Sequence, residues 1–533
     1  MLNSRLMQRG TLPVDWLKFI IPLLLILGIF FRFVDLDQNL YSIDEVRSFL
    51  RLSGYTAREF VEQVLNGDVI TVEEFQTYQR PNLEKNLLDA INALAGNPEH
   101  PPLYYLMARF CVQWFGAPVA ARYLTAFISL LAFPCLYWLC LELFQSSLTG
   151  WIAIALIAIS PLHVLLAQKA RQYSLLEVII LLSSASLLYA LRLATRRSWI
   201  IYAVTLVLGF YTHLFFGLVV ISHGIYVVVT RGLQFSKALV NYLLAFLVGL
   251  LAFVPWLWVI ITRLDQLNQK TTWVRNYRTS LPNIVKIWLH NLSIAFFDFN
   301  LPASFKNPIP YFVLILIAYS IYFLCRQKSK QVWLFILMLI GVTALAHGLS
   351  DIIFGGRRSL LPRYLIPCYL GIQLAVSYLF ATQLTTFSVN LWRQRLWKLV
   401  LAILLSGGIV SCVLISQAQG WNDDQASLTN LEVAPIINKT NHPLVISDAH
   451  YIYIFPLSYL LDSKVNLQLF TYKKPNYIES KLNVLGTIDH FKEVFIYLPS
   501  KNLLDIFEKN YNFNLKLIVK GSKGKKWLYK LVK

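Results

Sequence analysis

Apolar residues run through this chain in long blocks, with neither the strict alternation of a half-buried strand nor the single stripe of a surface helix. Blocks of about 18 or more apolar residues can cross a bilayer as helices. They fall at approximately 14–34, 120–141, 150–167, 173–191, 198–213, 214–230, 238–261, 309–325, 331–348, 363–382 and 397–417. The pattern predicts about eleven crossings. The first block is too long for a signal-peptide core, and no small-residue cleavage site follows it, so it reads as a retained span. The stretch from Pro101 to Gly116 opens with two prolines and contains Arg109. It is shorter than the roughly 20 residues a span needs, which predicts an outer-surface or re-entrant helix; the alternative, a tight hairpin with the next span, inverts the next few spans against the charge bias.

Two regions break the apolar pattern. A polar segment follows the first span from about Leu36 to Pro102, with Asp44-Glu45 early and Glu99-His100-Pro101-Pro102 late. From about Gln417 onward Asn, Asp, Lys and Ser rise, and the apolar runs shorten to strand length at Pro443–Ser447, Val465–Tyr472, Glu493–Leu498 and Leu515–Val519. Leu503–Glu508 reads as a short helix. The expected organisation is a transmembrane catalytic domain over 1–417, whose outer loop 36–102 carries the acidic pair, and a small α/β domain over 418–533. The fold class is an α-helical polytopic membrane protein with a small C-terminal α/β extracytoplasmic domain.

Composition agrees with a membrane protein: 56% of the 533 residues are hydrophobic and the mean hydropathy is +0.54. The net charge of +20 does not point to nucleic acid, because no basic stripe with interleaved aromatics lies on a folded soluble unit. Short basic loops orient the spans instead. Arg192-Arg196-Arg197, Arg231-Lys237, Arg326-Lys328-Lys330 and Arg393-Arg395-Lys398 fall inside by charge bias, with Arg5, Arg9 and Lys18 at the N-terminus. This predicts a cytoplasmic N-terminus and an extracytoplasmic C-terminal domain in the plasma (inner) membrane. The six cysteines all lie in apolar segments and read as packing residues.

With that orientation, scattered polar clusters meet on the outer face. Asp44-Glu45 suits acid–base work on an acceptor hydroxyl or amine, since a neutral alcohol is a poor nucleophile. The bland alternative is an acidic pair capping the next helix. In Glu99-His100, His100 suits a phosphate and Glu99 a sugar; the alternative is an ordinary helix start. Arg122 lies on the same face. Lys169, Arg171 and Tyr173 stand where a span ends, and Arg presents a planar fork of donors to phosphate. Arg357-Arg358 and Arg363-Tyr364 repeat the theme. Snorkelling to headgroups is the alternative for all of these cations. His213, in Tyr211-Thr212-His213, is a further binding candidate beside a structural one.

With these residues placed, the chain resembles the GT-C superfamily of polytopic glycosyltransferases. It is most similar to the bacterial branch of glycosyltransferase family 39, which includes protein mannosyltransferases and lipid A aminoarabinose transferases. The resemblance covers roughly residues 15–380. It rests on the first span ending in Arg32, Asp44-Glu45, His100-Pro101-Pro102-Leu103-Tyr104-Tyr105 and Arg122 before Ala126-Phe127. It rests further on Ala170-Arg171-Gln172-Tyr173-Ser174-Leu175, Tyr211-Thr212-His213 and Arg363-Tyr364-Leu365-Ile366-Pro367. Such enzymes take a sugar from a polyprenyl phosphate on the outer face and invert the anomeric carbon. The resemblance implies Asp44 as base, Glu45 as a donor- or acceptor-side contact, and Arg171 and Arg363 as phosphate ligands. His100 stands where some relatives carry Lys.

The implied partners are a polyprenyl-phosphate-sugar donor, a lipid, glycan or protein acceptor, and the membrane. No Rossmann or P-loop fingerprint occurs. No metal-ligand spacing is seen and no cofactor is expected, although Asp44, Glu45 and Glu99 are able to hold a divalent metal. Two other functions stay open. One is a non-enzymatic polyprenyl-lipid or glycan flippase, whose mark is charge within several spans; Glu142 and Glu177 are the exceptions to otherwise clean spans. The other is an oligosaccharide ligase that uses a diphosphate-linked glycan.

Overall fold

The structure is a computed structural model that describes residues 16–232, 236–385, 391–418, 420–421, 425–471, 488, 490–510, 513–521 and 526–532. Arg5 and Arg9 of the expected inner N-terminus, and Tyr472 at the edge of a predicted strand, lie outside the described residues. By contacts the chain divides into two compact units. One comprises residues 1–36, 97–104 and 122–417, the other residues 37–96, 105–121 and 418–533.

The first unit is helical, and every predicted span that it covers folds as helix. Among the described residues six helices are each long and apolar enough to cross a membrane: Ala120–Phe144, Tyr173–Leu193, Lys237–Thr262, Ile309–Gln327, Lys330–Phe354 and Leu391–Gln417. A bent pair, Ser147–Ala158 and Pro161–Gln168, makes a seventh. The other predicted spans are Leu17–Phe33, Arg196–Thr212, Phe216–Arg231 and Ile366–Thr385. The first three have 17, 17 and 16 residues. That is short of the roughly 20 that a hydrocarbon core requires. The fourth is interrupted by buried Gln373 and Ser377. Two shorter helices, Leu264–Arg275 and Leu281–Ile294, occupy the long loop before Ile309.

The bent pair turns by 61°. A break inside a bilayer exposes carbonyls that water does not reach, so other groups must satisfy them. Arg32, 1% exposed, does most of this. Its guanidinium donates to the carbonyls of Ala158 at 2.6 Å, Ile157 at 3.1 Å and Gly28 at 2.8 Å. The Cys412 thiol donates to the Ile159 carbonyl at 3.2 Å. Gly28 permits this approach, because a Cβ there would stand 2.5 Å from the Ala158 carbonyl oxygen. All six cysteines are free thiols.

The second unit is built on a six-stranded sheet: β1 (Asn66–Thr71), β2 (Pro443–Ser447), β3 (Asn466–Phe470), β4 (Glu493–Tyr497), β5 (Asn514–Lys520) and β6 (Lys526–Val532). The order is β1-β3-β2-β4-β6-β5. β2 runs parallel to both β3 and β4, and the remaining pairs are antiparallel. Thus the polar segment after the first span supplies an edge strand to the C-terminal sheet. Four short helices in that segment, Ile43–Leu52, Ala57–Val64, Val72–Thr77 and Leu87–Ala95, each begin with a reciprocal capping box. Phe60 and Phe75 pack on Phe455 at ring separations of 4.9 and 4.4 Å. Leu103–Phe115 is helical, as expected of the 101–116 stretch. Its Arg109 is 4% exposed and donates to the carbonyls of Leu52 and Lys85. Burial pulls that guanidinium below its ordinary pKa.

Candidate functional site

The bent pair ends at Gln168, and the next helix starts at Tyr173. Between them Lys169-Ala170-Arg171-Gln172 forms a tight turn in which the Arg171 N–H donates to the Lys169 carbonyl at 2.7 Å. The turn is fastened on both sides. Gln168 donates to the Phe31 carbonyl at 2.8 Å, and the Ser174 hydroxyl donates to the Leu166 carbonyl at 3.1 Å. Arg171 and Tyr173 are buried there, 3% and 4% exposed, while Lys169 is half-buried.

Arg363 and Tyr364 come from a different place, a single 3-10 turn just before the helix Ile366–Thr385. The fold brings them to the same ring. The Arg171 guanidinium lies 5.8 Å from the Tyr173 ring centre, and the Arg363 guanidinium lies 5.7 Å from it. Arg363 also lies 5.6 Å from the Tyr364 ring. Two guanidinium groups from separate segments therefore share one aromatic ring. Such a cation–π contact helps to hold the side chain in place.

His213 joins this group. Its ring is 6.1 Å from Tyr173 and 6.1 Å from Tyr364, and it stands in the field of Arg171 and Arg363. Its Nδ1 accepts the Phe215 N–H at 3.1 Å, so the neutral ring carries its proton on Nε2. His213, Arg363 and Tyr364 line one small enclosed pocket with Phe215, Leu176 and Pro367. Phe215 and His347 complete the ring cluster, 4.5 Å apart. Sequence reading missed both, because each sits in an apolar run. A histidine deep in such a run was the available signal for His347.

Other candidates are engaged differently. Arg358 pairs with Asp351 at 3.4 Å and donates to the Ser350 hydroxyl at 3.2 Å. Asp351 also accepts the Ser359 N–H at 2.6 Å and its hydroxyl at 2.7 Å, which fixes the turn ahead of Arg363. Arg122 is 1% exposed and donates to the Leu36 carbonyl at 2.7 Å, anchoring the exit from the first span. Glu99 and His100 face each other at 3.7 Å ahead of the helix Leu103–Phe115. Trp256 steadies them by donating to the Pro98 carbonyl at 3.2 Å.

In the second unit Asp44 and Glu45 open the helix Ile43–Leu52. Glu45 is fully buried, and its carboxylate accepts the Ser42 N–H and hydroxyl, each at 3.0 Å. Glu45 thus takes the capping role, and Asp44 is half-buried in the first turn. Among the described residues no group of three or more His, Cys, Asp or Glu side chains is arranged to hold a metal ion.

The long apolar spans, the broken helix and the appended α/β unit make up a polytopic membrane fold of the GT-C type. The structure is similar over nearly all of the chain to ArnT from Cupriavidus metallidurans, a lipid A aminoarabinose transferase. The crystal structure of ArnT bound to undecaprenyl phosphate matches with a TM-score of 0.54 at 13% identity, covering 97% of this chain and 98% of that one. The apo structure matches with a TM-score of 0.54 at 12% identity over the same shares. No protein-family model matches the chain, and no curated protein matches its sequence.

Proposed function

We propose that this protein is a membrane glycosyltransferase that moves a sugar from a polyprenyl-phosphate donor to a lipid, glycan or protein acceptor on the outer face, with inversion. The observation that carries the reading is the convergence of Arg171 and Arg363 on the Tyr173 ring. A polyprenyl phosphate leaves as an anion. Fixed cations at headgroup depth stabilise that charge as it develops, without having to protonate it. The fold supports the same donor class, because ArnT of like fold is seen bound to undecaprenyl phosphate.

Arg171 and Arg363 are the proposed phosphate ligands, with His213 Nε2–H and the Tyr364 hydroxyl as neutral donors beside them. Lys169 and His100 add cationic or polar contacts, and Glu99 accepts from sugar hydroxyls. Tyr173 acts by carrying both guanidinium groups. Arg122 and Arg358 support the site through backbone and turn contacts. Asp44 is the proposed base that takes the acceptor proton as the new glycosidic bond forms. The capping box of Glu45 holds Asp44 in the first helical turn.

Asp44→Asn removes the basic oxygen at nearly constant shape, and a general base is worth roughly 10²–10⁴ in rate. Purified Asp44→Asn should fold and lose transfer by that factor; near wild-type turnover sinks the base assignment. Donor binding tests the rest. Arg171→Ala and Arg363→Ala should each cost about 1.5–3 kcal/mol, the scale of a charge-assisted hydrogen bond. Lys should recover only part of it, since it lacks the two-pronged contact. Free replacement by Lys would mark both arginines as membrane anchors. Accumulation of a diphosphate-linked glycan in cells carrying Asp44→Asn would favour the ligase reading.

A further inference from the structure

Glu177 is the charge that a clean span should not contain. It is 2% exposed, and His163 is 1% exposed. The His163 Nδ1 lies 2.9 Å from a Glu177 carboxylate oxygen. On its other side, His163 Nε2 lies 2.8 Å from Gln373 Oε1. Gln373 turns that oxygen to the ring because its Nε2 donates to the Ala295 carbonyl at 3.2 Å and to Ser160 Oγ at 3.5 Å. His163 Nε2 must therefore carry a proton. Nδ1 stands within ion-pair distance of the Glu177 carboxylate without a hydrogen bond to it, so the ring is hydrogen-bonded to Gln373 on one side and faces the carboxylate on the other.

The placement of the three residues is the informative part. His163 lies on the helix that leads into the Arg171 turn. Glu177 lies on the helix that leaves that turn, less than two turns beyond Arg171. Gln373 lies about two turns into the helix that follows Arg363 and Tyr364. One imidazole thus ties together the spans that present the two arginines. A buried ion pair adds little to stability when compared with apolar side chains of the same volume, and its best-attested use is to fix a register.

We propose that the His163–Glu177–Gln373 network is a positioning device that holds Arg171 and Arg363 at one spacing, so that a single lipid phosphate meets both. This rests on the phosphate reading of those arginines given above. His163, Glu177 and Gln373 are positioning residues that do not touch substrate.

The test uses the full chain in lipid nanodiscs and the double variant His163→Leu/Glu177→Leu, with His163→Gln/Glu177→Gln as the polar alternative should the first misfold. Two quantities are read. One is affinity for a polyprenyl monophosphate, with Arg171→Ala and Arg363→Ala as references. The other is the distance distribution between spin labels placed by nonsense suppression at positions 169 and 361. The positioning role predicts a melting temperature equal to or above that of the wild type. It predicts a label distribution at least twice as broad and an affinity about tenfold weaker, the usual scale of coupling within one network.

A merely structural role predicts a lower melting temperature with an unchanged label distribution in the molecules that remain folded, and that result overturns the proposal. A wild-type label distribution in either folded double variant also overturns it, whatever the affinity. If the label distribution broadens but Arg171→Ala and Arg363→Ala bind the lipid as the wild type does, the spacing role stands and the phosphate reading fails.

Discussion

Two long apolar spans live in different solvents. Tyr173–Leu193 is largely buried within the protein, and Lys237–Thr262 is largely exposed. The first carries Glu177, Ser183, Ser184 and Ser186, all buried. The second turns Leu243, Leu247, Leu251 and Trp258 outward. A span facing lipid has to satisfy nothing beyond its own backbone, so it is written in aliphatic residues. A span surrounded by other spans can carry polar side chains where each has a partner, and there they set which neighbour sits where. The same contrast separates a part that holds the arginine cluster in place from a part that keeps the protein in the membrane.

The contrast breaks most sharply at Glu177. Glu177→Ala leaves the buried His163 ring without the carboxylate beside it, which costs about 3–5 kcal/mol where a buried pair is cut on one side. Thermal unfolding in detergent should show it as a large fall in melting temperature. A loss below about 1 kcal/mol would mean that the inner span tolerates a missing partner as freely as a lipid-facing one. The two-sided apolar replacement of the same pair should leave stability intact, so the one variant checks the other.

Gly28 sharpens the contrast at the broken helix. A methyl at Gly28 would meet the Ala158 carbonyl oxygen at 2.5 Å and the Ala158 Cβ at 2.7 Å. Gly28→Ala must push the first span away from the break and loosen the Arg32 contacts, an overpacking cost of about 1–3 kcal/mol. Gly341→Ala in Lys330–Phe354 meets nothing within 4 Å and should be neutral or slightly stabilising. Equal melting temperatures for the two variants would remove the close approach as a design feature.

This difference also explains what was readable in the chain. Apolar length located the helices of the first unit, because hydrocarbon thickness leaves few choices, although four of those read as spans fall short in length or are interrupted by polar residues. It did not tell inner spans from outer ones, since both exceed the threshold. Four strands of the C-terminal sheet were legible as short apolar runs. β1, Asn-Gly-Asp-Val-Ile-Thr, is polar for a strand and lies hundreds of residues away in sequence. β6 was obscured by its lysines. In the site, Arg171, Tyr173, His213, Arg363 and Tyr364 were singled out and do meet. The capping role of Glu45 was visible in the Ser42-to-Glu45 spacing, which is a capping box. The ion pair of Arg358 with Asp351 and the backbone contact of Arg122 depend on tertiary neighbours, and no local spacing announces them.

The smallest expected effect makes the finest test of the two environments. Leu181 on the inner helix is fully buried, and Leu247 on the outer helix is 48% exposed. Lipid tails are as apolar as leucine, so neither side chain gains by leaving water within the membrane; only packing distinguishes them. Leu181→Ala leaves a cavity that rigid neighbours do not refill, at about 2–5 kcal/mol for a buried leucine. Leu247→Ala leaves a hollow that a mobile acyl chain fills at once, so its cost should stay within about 0.5 kcal/mol, as for most surface sites. Unfolding of both variants in the same nanodiscs measures the difference. A Leu247→Ala loss comparable to that of Leu181→Ala would show that this face packs against protein, and would count Lys237–Thr262 among the inner spans.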